Sequence, residues 1–218
     1  MGSVAQILLF IPPILFALTF HEASHAFVAT KLGDPTSRLL GRLTLNPIVH
    51  LDPIGSILLL LPPHFGWARP VPVDSRYLSH PHRDMMWIAL AGPVSNVILA
   101  AIFGTLLRGM VASPYFSGGD ASPAATALLQ MTGNAVYINL VLAAFNMIPI
   151  FPLDGSRVVT GLLPWRAAER FRALEPFGPM LLLGLILMGS ISHVSLVGAL
   201  IGPVVTPLMH LFSWGLMG

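Results

Sequence analysis

Two histidines four residues apart, with a glutamate beside the first, make His21-Glu22-Ala23-Ser24-His25 a pattern that can bind a metal and use it. On an α-helix, positions i and i+4 share a face, so both imidazoles can reach one zinc ion. Glu22 then stands where a carboxylate can take a proton from water. From Val4 to Val28 the only ionisable side chains are His21, Glu22 and His25. Ionisable groups in an apolar span are costly, which makes function their default reading. A pair of hydrogen-bonded core histidines is the bland explanation of so short a pattern, and the rest of the chain must decide between the two.

A catalytic zinc takes three protein ligands and keeps one position open. The chain has no cysteine, so the third ligand must be Asp, Glu or His. Asp154 is the strongest candidate: it follows the apolar stretch 124–150, and Pro149, Pro152 and Gly155 let the backbone bend there. His50 and Asp52 are alternatives, although Asn46-Pro47 and Pro53 around them suit a hydrogen-bonded turn equally well. Asn96 brings an amide into a third apolar stretch and is a candidate supporting group.

The elements that carry these residues belong in a bilayer. Of 218 residues, 55% are hydrophobic and 9% charged, with mean hydropathy +0.79. Soluble domains carry about 25% charged residues. The expected architecture is one α-helical polytopic membrane domain over 1–218, with about five to six transmembrane helices. A net charge of +2 without a basic run gives no sign of nucleic-acid binding. Residues 4–31 form the motif helix, 85–108 and 124–150 the core helices, and 177–216 a C-terminal helical hairpin. Residues 35–84 differ. Partial alternation over Ser37–Leu45, turn signals at Asn46-Pro47 and Asp52-Pro53, and the proline-rich Gly66–Asp74 predict a small membrane-associated β region at about 35–75. Ile54–Leu61 is apolar but too short to cross, and is expected to be re-entrant.

Charge then sets orientation. If 54–61 does not cross, Lys31, Arg38, Arg42, Arg69, Arg76 and Arg83 lie on one side, joined by Arg157, Arg166, Arg170 and Arg172. The loop 109–123 has none. The positive-inside rule puts the basic side in the cytoplasm, most simply of a prokaryotic plasma membrane. By helical rise His25 lies about 9 Å and His21 about 15 Å below the cytoplasmic end of their helix, and Asn96 about 18 Å into its own. Asp154 follows directly on a third helix at the same side, so polar groups from three helices gather in one half of the membrane.

The chain resembles the site-2 proteases, intramembrane zinc metalloproteases. The similarity rests on His21–His25, on Gly92-Pro93-Val94-Ser95-Asn96, on Asn146–Gly155 with its N-x-x-P-x-x-P-L-D-G pattern, and on Asn46–Gly55. The resemblance implies one zinc held by His21, His25 and Asp154, Glu22 as general base, and Asn146 as a stabiliser of the developing oxyanion. It also implies transmembrane protein substrates, received as an added strand by a sheet at residues 35–75. The form expected is compact, without a PDZ or CBS domain, and a gating element ahead of the motif helix is expected to be absent or supplied by the C-terminal helices. A transporter or channel, or an inactive membrane-protein binder, are the alternatives. The first lacks a chain of paired acids, and the second has no need of Glu22 beside a metal.

Overall fold

The computed structural model describes residues 4–60, 66–118, 121–192 and 195–213. The first long helix, α1 (Val4–Lys31), carries Pro12 and Pro13 inside it. Three short helices follow: α2 (Thr36–Leu39), α3 (Pro47–His50) and α4 (Pro53–Leu60). After a single 3-10 turn at Ser75–Tyr77 comes α5 (Pro81–Ala112), then the short α6 (Pro114–Ser117) and α7 (Pro123–Asn146). The chain ends in α8 (Asp154–Leu162), α9 (Trp165–Arg172), α10 (Gly178–Ser192) and α11 (Leu196–Ser213).

Local chemistry starts these helices where they start. Proline occupies the first turn of α3, α5, α6 and α7, where its missing N–H costs nothing. The Ser122 side chain caps α7 by accepting from Ala125 N at 3.2 Å. At α5 the carboxylate of Asp84 reaches back to the His80 N–H at 2.8 Å, as in a capping box.

Among the described residues, five stretches are long and apolar enough to cross a membrane: Leu8–Lys31, Pro81–Ala112, Pro123–Asn146, Trp165–Gly189 and Leu196–Ser213. Helices α1, α5 and α7 pack on one another, α8 lies against α5, and α11 lies against α7. Alanines at the contacts, including Ala17, Ala26, Ala29 and Ala100, are fully buried, and their small side chains let the backbones approach. Ile98, Ile102, Leu106, Leu128, Leu183 and Leu187 point outward and are about half exposed. Apolar faces of that extent belong against lipid.

The β region expected at about 35–75 does not form among the described residues. Among the described residues the only pairing is an isolated antiparallel bridge between Leu51 and Ala68. The apparent turn signals prove to be helix starts: Asn46 caps α3 by accepting from Ile48 N, and Asp52 accepts from Gly55 N at 2.8 Å to open α4. The alternation over Ser37–Leu45 is overridden by local turns, Gly41 N to Arg38 O and Arg42 N to Ser37 O. The segment from Gly66 to Asp74 is extended, but Pro70 and Pro72 have no N–H, so no ladder can run along it. It is a strap laid beside α1 instead. Helix α4 is eight residues long, well short of a crossing. Leu61, the last residue of the predicted re-entrant segment, and residues 193–194 and 214–216 of the predicted C-terminal hairpin lie outside the described residues.

Candidate metal centre

One turn of α1 presents the imidazoles of His21 and His25 side by side, ring centroids 4.7 Å apart and nearly perpendicular. Both are buried. Each ring is fixed from behind through Nδ1. His25 Nδ1 lies 2.7 Å from the backbone carbonyl of Ile88 on α5. A carbonyl can only accept, so that nitrogen donates and His25 Nε2 keeps its lone pair. His21 Nδ1 lies 2.6 Å from Asn96 Oδ1. The amide nitrogen of Asn96 donates to Asn139 Oδ1 at 2.8 Å and to Ala17 O at 3.2 Å, so the oxygen faces His21 and His21 Nδ1 is also the donor.

Both lone pairs therefore face the same point as a carboxylate. Asp154 Oδ2 is 3.1 Å from His21 Nε2 and 3.4 Å from His25 Nε2. The three ligating atoms lie within 4.8 Å of one another. Zinc held tetrahedrally by N and O at about 2.0–2.1 Å keeps its donor atoms about 3.3 Å apart. Three acceptors converging with no hydrogen between them repel one another unless a cation shares them, so the donor set suits zinc.

Asp154 reaches this point by a route different from the one expected. It does not end α7, which stops at Asn146; it opens α8 after the turn over 147–153. The first turn of α8 sits directly on the backbone that leaves α7. A Cβ on Gly155 would meet the Met147 carbonyl and lie 2.7 Å from Ile148 O. The glycine is required by close approach, since its φ is not positive. Gly155→Ala is expected to push α8 outward and carry Asp154 with it. Zinc content and melting temperature should both fall, and wild-type values for both would show that the backbone contact is dispensable.

The comparisons with known proteins bear on this geometry. The profile of Peptidase family M50 matches residues 107–188. The chain is 42% identical over 170 residues to the Bacillus subtilis protein named "Putative zinc metalloprotease YwhC", covering 76% of this chain and 74% of that one. The chain belongs to peptidase family M50, the site-2 protease family. A Mycolicibacterium smegmatis relative named "Putative zinc metalloprotease Rip2" shares 31% identity over 183 residues, 81% of this chain and 64% of the relative. "Zinc metalloprotease MJ0392" of Methanocaldococcus jannaschii shares 27% over 161 residues, 74% of this chain and 34% of the relative. This M50 chain thus spans about three quarters of its Bacillus relative and less than two thirds of the other two. No solved structure matches significantly.

The remaining predicted site residues of this M50 member stand apart from the three converging atoms. Glu22 is buried, and its Oε2 accepts the Val71 N–H at 3.2 Å. Asn146 turns its amide into its own helix and donates to Leu142 O at 3.0 Å. His50 is buried in the loop scaffold, with Nε2 at 2.9 Å from Thr44 O and Nδ1 without a partner among the described residues. Asp52 caps α4. Asn139 was not singled out by sequence reasoning, yet it is fully buried and holds Asn96 in place. An asparagine within an apolar 24-residue helix was its available signal.

Proposed function

We propose that the chain is an intramembrane zinc metalloendopeptidase that hydrolyses peptide bonds within or near transmembrane segments of membrane proteins, the activity of regulated intramembrane proteolysis. One observation carries this reading: on a helix long enough to span, the imidazoles of His21 and His25, either side of Glu22, hold their Nε2 atoms 3.1 and 3.4 Å from the Asp154 carboxylate of α8. His21, His25 and Asp154 would hold the zinc, one ion per chain. When bound, the ion supplies a Lewis acid that activates water and polarises the scissile carbonyl.

The chain's own residues do the rest. Asn96 and the Ile88 carbonyl keep both imidazoles in the tautomer that ligates, and Asn139 keeps Asn96 in place. Glu22 takes the proton from the attacking water and passes it to the leaving amine, which is expelled neutral. Asn146 Nδ2 spends one N–H on Leu142 O and has a second N–H to offer the oxyanion of the tetrahedral intermediate. The arrangement of Lys and Arg supports a site opening toward the cytoplasm of a prokaryotic plasma membrane. A substrate helix hides its peptide bonds in its own hydrogen bonds and must unwind locally before cleavage. A reporter span with a central Gly or Pro is therefore expected to be cut faster than a uniformly Leu-rich one, as followed by gel; equal rates would exclude unwinding as a limiting step.

The direct test uses the purified protein, elemental zinc analysis and a single-span reporter. Wild type is expected to hold about one zinc per chain and to cleave. Glu22→Gln should keep the zinc and lose cleavage. Zinc-loaded wild type that cuts no member of a broad reporter panel would overturn the protease reading.

A further inference from the structure

Among the described residues Glu22 is held by a peptide group rather than by a side chain. Its Oε2 accepts from Val71 N at 3.2 Å. Val71 stands between Pro70 and Pro72, neither of which has an N–H, so its amide is the one donor of that tripeptide, and it is spent on Glu22. The carbonyl of the same peptide group, Pro70 O, accepts from the Arg42 guanidinium at 3.2 Å. The guanidinium also reaches Arg69 O at 3.4 Å and Val49 O.

Arg42 is 6% exposed and always charged. Among the described residues no carboxylate forms an ion pair with it, and its planar fork grips three carbonyls instead. Burial, and then the charge of Arg69, pull its pKa below the ordinary range, while the negative charge of Glu22 opposes them. The strap is fastened on both sides of Val71. Ala68 pairs with Leu51, Arg69 N donates to His50 O at 2.8 Å, and Asp74 N donates to Asp34 Oδ2 at 2.8 Å. A segment tied at this many points is a fixed wall, not a lid. A peptide whose C=O is bound to a cation is a stronger N–H donor, and a bond to a carboxylate is stronger again.

We propose that Arg42 is a positioning residue for Glu22: by gripping the Pro70–Val71 peptide it aims the Val71 N–H at one oxygen of the carboxylate and leaves the other free for the proton. This rests on the protease reading for the role of Glu22, though not for the contact itself.

Two measurements test it. In protein labelled with 15N-valine, the Val71 amide is assigned by its loss in Val71→Ala. Its proton resonance is expected to move upfield in Glu22→Gln and also in Arg42→Gln, a residue that touches Val71 only through the peptide. An unmoved resonance in Arg42→Gln overturns the proposal. In kinetics with the membrane reporter, Arg42→Gln and Val71→Pro should each lower kcat about 10- to 100-fold. KM and zinc content should stay near wild type. Val71→Ala, which keeps the N–H, should fall less than Val71→Pro. Arg42→Lys should recover part of the loss, since an ammonium can still bind Pro70 O. The double variant Arg42→Gln/Val71→Pro should be no worse than either single one, because both cut the same path. Losses in zinc or KM with kcat retained would show a merely structural role. A wild type that cleaves nothing while the Val71 resonance still answers Arg42→Gln would sink the protease reading and leave the contact standing.

Discussion

Gly92→Ala is expected to strip the chain of its zinc. Gly92 lies on α5 against the ligating edges of both imidazoles. A Cβ there would stand 2.5 Å from His25 Nε2 and 2.6 Å from His21 Cε1 and Nε2. Something must shift, and the rings have little freedom to do so, because each is tied through Nδ1 to an acceptor on α5 itself. The methyl group would crowd the side on which the three donors converge. Overpacking elsewhere in a core costs about 1–3 kcal/mol and leaves the fold standing. The expected signature is therefore a folded, membrane-inserted protein whose zinc affinity falls by more than the roughly 10- to 100-fold typical of lost outer-shell partners, and which no longer cleaves. Chelator competition measures the first and the reporter the second. Wild-type zinc affinity in Gly92→Ala would mean that α5 does not approach α1 as closely as described.

The second large effect is expected at Asn96. It accepts from His21 Nδ1 and donates to Asn139 Oδ1 and Ala17 O, fully buried throughout. Asn96→Leu keeps the branched shape of the side chain, with two slightly larger methyl groups at its tip, and removes all three bonds. Unsatisfied buried groups cost about 1–3 kcal/mol each in water-soluble cores. Interhelical hydrogen bonds in bilayers average only about 0.6 kcal/mol. The loss of stability should therefore be modest, about 1–2 kcal/mol on the membrane scale. Metal binding suffers more, since the His21 ring loses the partner that sets its tautomer, and affinity should drop about 10- to 100-fold. A second substitution separates the two effects. Adding Asn139→Leu removes the orphaned amide and should restore part of the melting temperature, while zinc affinity stays low. Recovery of both together would show that Asn96 acts only by packing.

Much of this site was legible because its residue types are expensive where they stand. His21, Glu22 and His25 are conspicuous in an apolar stretch, helical rise puts Asn96 in the same half of the membrane, and Asp154 follows directly on the end of stretch 124–150 at that side. What could not be read is what backbone atoms do. Nothing in the sequence marks the Ile88 carbonyl as the partner of His25, because every residue has a carbonyl. Asn139 was visible as an oddity, but its pairing with Asn96 depends on the rotation of α7 against α5. The β region failed for a different reason. Residues 37–45 have the alternation of a strand, and nearby Asn46 and Asp52 look like turn residues. Both were recruited as helix caps, a local use of the same chemistry that outcompeted strand pairing. Asp154 was expected at the end of a helix, and Pro149 and Pro152 instead clear a turn from which a new helix starts.

The division of the three donors between α1 and α8 sets an order of assembly. His21 and Asp154 are 133 positions apart. At synthesis rates of about 5–20 residues per second, the histidines precede the aspartate by about 7–27 s. During that interval α1 can offer an ion two imidazoles and no more, and Glu22 has no strap until residue 71 has followed. The three donors can therefore meet only once α8 has docked on α5, so the proposed peptidase would stay without its full ligand set until the bundle is nearly complete.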